Sequence, residues 1–369
     1  MTIKTCKTAV RASAVLAAIA LSGGAFATGG ISESFEGKTV GETLTTSTIS
    51  GLTGNGTYAS GGAETAPAAG FPIPGASGHA TALEIAGTVT YTEGGTPATK
   101  ASQVDFMFKV EPTDELENPT GDDIRVALAV GTNAANTTTA PIKLWCKTTS
   151  GGSADWVDLA SAVTTGSWMR ATLVLDYDNS KCSVSLNGDP VLNGSDKWFY
   201  FANNGGDYVA SITMVGSTMV DDLVVTHTAL TNYEIPGGNT AVANAGGVTY
   251  DYINKYGVTV EQAQSSTPLN AESGMTVADK FVAGLDPKSA TKFELKTMTP
   301  TSATSATVTS PGNNASGYTV KVTVPKTSTT TSFTTVSDAG MVTATEKLNS
   351  VEVTLPENDL AYITVEATK

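Results

Sequence analysis

Few side chains in this sequence combine the types and spacing that chemistry requires. The two histidines, His79 and His227, are far apart, and neither stands beside a nucleophile motif. His79 sits in the loop that begins Pro74-Gly75-Ala76-Ser77-Gly78. The sequence contains no G-x-S-x-G and no H-E-x-x-H. An aromatic and cationic set offers more. Trp145 is out of phase with the apolar Ile142, Leu144 and Cys146 and in phase with Lys143 and Lys147. Arg125 and Arg170 are likewise out of phase with the apolar residues of their runs, and Trp168 shares the phase of Arg170. Glycan binding needs aromatic platforms with polar neighbours on one face. Trp145, Lys143, Arg125, Trp168 and Arg170 are therefore the candidate ligand residues. The competing arrangement packs Trp145 and Trp168 under loops or against a second sheet. Trp198-Phe199-Tyr200-Phe201 reads as core plus one exposed aromatic.

The elements that must position these residues are strands. Val104, Phe106, Phe108 and Val110 alternate with Asp105, Met107 and Lys109. Ile124, Val126, Leu128 and Val130 alternate with Arg125, Ala127 and Ala129. Met169, Ala171, Leu173, Leu175 and Tyr177 alternate with Trp168, Arg170, Thr172, Val174 and Asp176. A period of two predicts half-buried antiparallel strands. Turn residues separate them, and Asn187-Gly188 is the strongest hairpin signal because both residues tolerate positive φ. Many strands over about 200 residues indicate a sandwich rather than a small barrel. Cys146 and Cys182 lie in phase with apolar neighbours, which leaves open a disulfide or two separate buried thiols.

The first residues supply an address. Lys4, Lys7 and Arg11 precede the apolar run 12–21, and Ala25-Phe26-Ala27 offers the small residues of a cleavage site, so residues 1–27 read as a signal peptide that directs export to the medium or the cell surface. Cys6 leaves with it. Losing those three positive charges takes the net charge from −14 to −17, which argues against nucleic acid and anionic lipid as partners. Only 15% of the residues are charged while 40% are hydrophobic, enough to fill cores rather than stay disordered.

Gly166-Ser167-Trp168, then Asp176-Tyr177, then Cys182-Ser183-Val184-Ser185-Leu186-Asn187-Gly188 resemble the core of a laminin G-like or concanavalin A-like domain. Ser34-Phe35-Glu36-Gly37 and Val220-Asp221-Asp222-Leu223-Val224-Val225 resemble the first and last strands of such jelly rolls. The resemblance spans roughly residues 31–228 and implies an all-β jelly-roll sandwich. It also implies a structural Ca²⁺ shared by Glu36 and Asp221 or Asp222, whose hard oxygens would be joined by backbone carbonyls or water; the competing reading is a cluster of solvated carboxylates. The enzymatic branch of the fold carries E-x-D-x-x-E on one strand. The nearest match, Glu111-Pro112-Thr113-Asp114-Glu115-Leu116-Glu117, sets Glu111 and Asp114 on opposite faces, and Pro112 interrupts any ladder, so it reads as an acidic loop.

Residues 231–247 lose the alternation and read as a linker. Tyr252, Ile253 and Tyr256 predict a short helix ended by Gly257, and Thr276-Val277-Ala278-Asp279 predicts another with Gly284 as its left-handed stop. The segment from Ser273 to Pro287 is similar to one that follows a thrombospondin type 3-like calcium loop in large secreted bacterial proteins; Pro268-Leu269-Asn270-Ala271-Glu272 stands here in place of alternating aspartates. Alternation returns in Tyr318, Val320, Val322 and Val324 and in Val351, Val353 and Leu355, which suggests an immunoglobulin-like sandwich. The expected order is a signal peptide (1–27), a jelly roll (28–230), a linker with short helices (231–287) and an immunoglobulin-like sandwich (288–369). The leading functional reading is an exported, non-enzymatic surface or matrix protein, with an extracellular glycan or surface protein as partner. The alternatives are a glycoside hydrolase or lyase of the same fold and a structural coat subunit.

Overall fold

The computed structural model describes residues 2–4, 10–11, 30–45, 49–61, 80–112, 116–132, 138–228, 230 and 237–291, together with the backbone of strands between 297 and 368. The chain divides into two compact units. One comprises Met1–Val242 and Thr249–Thr259, the other Ala243–Val248 and Val260–Lys369.

The first unit holds β1 (Thr2–Lys4), β2 (Val10–Arg11), β3 (Ile31–Glu33), β4 (Leu52–Ser60), β5 (Thr81–Thr92), β6 (Ala101–Lys109) and β7 (Ile124–Val130). It continues with β8 (Thr139–Cys146), β9 (Asp155–Thr164), β10 (Trp168–Asp176), β11 (Lys181–Leu186), β12 (Asp189–Pro190), β13 (Phe199–Tyr200), β14 (Ser211–Thr226) and the helix α1 (Tyr250–Tyr256). The main path of strands runs β12-β11-β10-β6-β14-β1-β7-β8-β9, with β3 and β5 also on β14 and β4 on β5. The pairing is antiparallel apart from β2 on β14. The expectation of an all-β jelly-roll sandwich holds for this unit.

β14 joins the two layers. Its first part, Ser211–Met219, pairs with β5, and its later part pairs with β6 and, from Leu223 to Val225, with β3. One continuous core results, with Val126, Leu128, Ile142 and Leu144 from one layer and Val104, Phe106, Leu173 and Val184 from the other. The apolar phases read from the sequence are the ones that fill it. Asn187 and Gly188 both adopt positive φ, 50° and 81°, and close the β11–β12 hairpin.

The second face of β6 and β10 is not solvated, as simple alternation predicts, but buried. That face carries a polar row, which α1 closes at its β11 end. Asp105 accepts hydrogen bonds from Arg170 Nε and Thr172 Oγ1, each at 2.7 Å. Thr172 stands opposite Ser185, and Ser185 Oγ donates to Asn254 Oδ1 of α1. Asn254 Nδ2 then donates to Gly188 O (2.7 Å). Lys197 Nζ seals the helix end, donating to Asn254 O at 2.6 Å and Lys255 O at 3.2 Å, where a cation favours the carbonyls. The helix itself is local chemistry: Thr249 caps its start and Gly257, at φ 60°, ends it.

Gly54 shows where the backbone admits no side chain. Its φ is +129°, and a Cβ there would stand 2.2 Å from Thr88 O. Gly54→Ala is expected to destabilise the first unit by about 2–3 kcal/mol, read as a lower denaturation midpoint at unchanged slope; an unshifted midpoint would refute this account of β4.

In the second unit, α2 (Val260–Gln264) and α3 (Val277–Val282) precede β15 (Thr297–Ser302), β16 (Ser305–Pro311), β17 (Thr319–Thr323), β18 (Leu348–Thr354) and β19 (Thr364–Thr368). Thr276 and Asp279 form a capping box at the start of α3. Gly284, at φ 66°, follows its end. The strands make a three-stranded sheet, β15-β16-β18, and a two-stranded one, β17-β19; an immunoglobulin-like packing of the two is not described. Among the described residues no helix is long and apolar enough to cross a membrane. The apolar run 12–21 and His79 lie outside the described residues.

Candidate functional site

The five candidate ligand residues fall into two groups. Arg125, Lys143 and Trp145 lie on the outer face of β7 and β8, where Ala127 stands opposite Trp145 and Ala129 opposite Lys143. The sequence reading missed Trp156, which β9 brings opposite Trp145. The two indoles meet at 5.6 Å between centroids, tilted by 60°. Lys143 pairs with Asp158 of β9. Trp145 is 9% exposed and Trp156 half-buried, and Trp156 Nε1 has no hydrogen-bond partner among the described residues. Arg125 donates to Gly205 O (2.7 Å) and Asp122 O (2.8 Å), so part of its fork is committed to fixing loops. Trp168 and Arg170 belong elsewhere, on β10, several strands away along the sheet path. Trp168 packs against the main core, and Arg170 is buried against Asp105.

Of the three candidate metal residues, Glu36 and Asp221 both lie near enough to Asp222 to act on its charge. Glu36 Oε1 accepts the Thr81 N–H at 3.0 Å. Asp221 and Asp222 are fully buried, and Asp221 Oδ1 accepts the Asp222 N–H at 3.0 Å. The ladder from β14 to β6 is irregular between Asp221 and Val224, and Asp222 adopts φ 49°, a left-handed conformation that Asp and Asn tolerate better than most residues. Burial pushes the Asp222 carboxyl up to about 10; Asp221, Asp105 and Glu36 add to the shift and Arg170 opposes it. Burial also raises Asp105 against the pull of Arg170. Asp105 and Asp222 thus both feel the Arg170 guanidinium. Among the described residues, no three Asp, Glu, His or Cys side chains are arranged to hold a metal by themselves. An ion here would need backbone carbonyls or water to complete its shell.

A third constellation escaped sequence reasoning. Ser102 Oγ lies 2.9 Å from His227 Nδ1, and His227 Nε2 lies 3.0 Å from Glu93 Oε2. Burial lowers the His227 pKa below its ordinary value, against the pull of Glu93. Burial also acts to raise Glu93, but hydrogen bonds from Tyr91, His227, Gly95 and Gly30 outweigh it and hold the carboxylate below its ordinary range. An ionised Glu93 accepts only, so Nε2 carries the proton and Nδ1 accepts from the Ser102 hydroxyl. The order resembles nucleophile, base and acid, yet Ser102 is 1% exposed and its Oγ accepts the Val209 N–H at 3.1 Å. It is a polar latch binding the ends of β5, β6 and β14 to Gly30. Ser102→Ala would leave Val209 N–H and Nδ1 unpaired and should cost about 1–3 kcal/mol, measured by chemical denaturation; a neutral result would remove the latch. The thiols of Cys146 and Cys182 are free and buried, and burial pushes Cys146 up to about 12.

No family model and no curated protein matches the chain. Solved structures do. It is similar to domain 4 of AbnA, a GH43 extracellular arabinanase from Geobacillus stearothermophilus, in complex with arabinotriose, at 17% identity over 48% of this chain and 84% of that one, TM-score 0.26. It is similar to an alginate lyase from Pseudomonas aeruginosa at 12% identity over 47% of this chain and 82% of that one, TM-score 0.24. A heptameric SAP-like pentraxin from Limulus polyphemus matches at 12% identity over 35% of this chain, TM-score 0.20, and the match spans 52% of the pentraxin's length.

Proposed function

We propose that this chain is exported after removal of residues 1–27 and serves outside the cell as a non-enzymatic recognition or adhesion protein, with the first unit binding carbohydrate. The observation that carries the ligand face is the Trp145–Trp156 pair on the outer side of β7–β9, flanked by the Lys143–Asp158 ion pair. Indole faces take the apolar side of a sugar ring and the charged pair takes its hydroxyls. Trp168 and Arg170 drop out of the face, since both belong to the packing of β10. The enzymatic alternative is less well supported: Asp105, Asp221 and Asp222 are closed to substrate.

A glycan array of residues 28–369 tests the reading. Trp156→Ala is expected to weaken a positive interaction at least tenfold, about 1.4 kcal/mol, without lowering the melting temperature as far as a core substitution. Binding that survives the loss of both indoles would sink the face, and a blank array would sink the carbohydrate reading. Thr28 at the start of the exported protein is the expected amino-terminal sequence. The proposal includes a structural Ca²⁺ beside Glu36, Asp221 and Asp222, supported by the burial of Asp221 and Asp222 and by the nearness of Glu36 to Asp222.

A further inference from the structure

We propose that the ligand face of the first unit continues from its indole pair onto a row of Lys147, Tyr200 and Lys181, and that this row selects an acidic sugar, one carrying a carboxylate or a sulfate. The proposal rests on the carbohydrate reading and names the class of glycan. Trp145 and Lys147 are two residues apart on extended backbone, about 6.8 Å, and so lie on the same side of it. Lys147 bridges to Tyr200. The Lys147 N–H donates to Tyr200 O and the Tyr200 N–H to Lys147 O, each at 2.9 Å. Tyr200 stands in turn opposite Lys181 of β11. Side chains directly opposite one another on antiparallel strands share a face, so the three project together.

The alternate residues fix that direction. Cys146, Phe199 and Cys182, each adjacent to a member of the row, are buried in the main core. Lys147, Tyr200 and Lys181 are half-buried. Ala202, one alternation beyond Tyr200, packs in the cluster that holds Trp145 and Trp156. The indoles and the phenol ring therefore belong to one continuous surface. The ring is also held in place: β13 is bonded to Lys147 on one side and to β11 on the other, and the Phe201 N–H donates to Ser180 O at 2.9 Å.

Charge then decides the ligand. Lys181 Nζ lies 5.6 Å from the centroid of the Tyr200 ring, a cation–π contact. Neither Lys147 nor Lys181 enters an ion pair with the described residues. Their strands flank β13, about 9.6 Å apart at the backbone. The carboxylates nearby are committed. Asp176, opposite Lys181 on β10, accepts from the Asn179 N–H and Nδ2, and Asp158 is paired with Lys143. An anionic sugar satisfies this arrangement. Its acid group draws the Lys181 ammonium off the ring into a charge-assisted hydrogen bond, and the ring face so uncovered takes the apolar side of the sugar. Lys147 waits on the other side of the ring for the next acid group along the glycan. The chain as a whole carries a net charge of −14 and repels polyanions, but that field decays over about 8 Å at physiological ionic strength, so recognition is confined to the row itself.

Titration of the exported protein with two matched pairs of polysaccharide tests this: polygalacturonate against its methyl ester, and a sulfated galactan against neutral galactan. The expected result is a preference of about tenfold for the charged member of one pair, which identifies carboxylate or sulfate as the group read, and which shrinks as salt is raised. Lys147→Gln and Lys181→Gln should each weaken the charged ligand about threefold, the scale of an exposed ion pair. Tyr200→Ala should weaken it more than either, and Tyr200→Phe should bind like the parent. Equal binding across each pair, or a preference untouched by the lysine substitutions, would overturn the proposal and leave the carbohydrate reading standing. Polyglutamate held as tightly as the charged polysaccharide would overturn it too, because charge alone would then account for the contact. Binding to none of the four overturns it as well, and the glycan array then decides the broader reading.

Discussion

Asp222→Asn is expected to stabilise the protein in chelator and to destabilise it in calcium. Without a cation the buried Asp222 carboxyl keeps its proton up to about pH 10, whereas in the unfolded chain it ionises near pH 4. A carboxyl raised in the folded state stabilises fully below the unfolded value and loses that contribution as pH rises toward the folded one. The loss is at most about 1.4 kcal/mol per pH unit between about 4 and 10, or about 4 kcal/mol by pH 7. Asn carries no such proton, fits the same volume and tolerates the φ of 49°. The chelated variant should therefore melt higher than the parent at pH 7, and the gap should widen with pH. Calcium at more than about a thousandfold excess over its dissociation constant reverses the order, because the ion binds the folded parent and stabilises it by more than about 4.1 kcal/mol, while Asn offers a neutral oxygen in place of a charged one. Glu36→Gln should blunt the same calcium response. Indifference of the parent to calcium would refute the metal, and a chelated variant no more stable than the parent would refute the buried proton.

Arg170→Met should cost about 3–5 kcal/mol, the usual result of stripping one partner from a buried ion pair. Arg170 Nε donates to Asp105 Oδ1 at 2.7 Å in a fully enclosed pair, and the guanidinium also lowers the Asp222 carboxyl. Met keeps most of the packed volume, so the loss reports charge left without its counterion. Combining it with Asp105→Asn should recover most of the stability. If the double variant unfolds as readily as Arg170→Met alone, the cost is packing and the electrostatic account fails. Denaturant midpoints of the four proteins close the cycle.

What was legible beforehand was local. The phases of β6, β7 and β10, the Asn187-Gly188 turn, the Gly257 end of α1 and the Thr276 start of α3 are properties of a few adjacent residues, and each is where the spacing put it. The nearness of Glu36 to Asp222 was legible only through the likeness of the first and last strands to jelly rolls. The burial of Arg170 was not: it depends on a polar row and a helix that arrives from residue 250. Ser102, His227 and Glu93 meet across 125 and 134 residues, and no short motif encodes contacts at that range. Trp156 escaped because its strand, β9, alternates weakly at the rim of the sheet.

The pairing of β3 with the end of β14 also has a mechanical meaning. Ile31 stands opposite Val225, so the polypeptide enters the sandwich and leaves its last strand about one strand spacing apart, near 5 Å. Once α1 has been drawn from its place on β11 and β12, tension along the chain would be carried across that short ladder, opening it pair by pair like a zip instead of shearing it. The rest of the sandwich would hang beside the line of force, its core unloaded. A module attached in this way yields early at its entrance while keeping its working faces intact under strain.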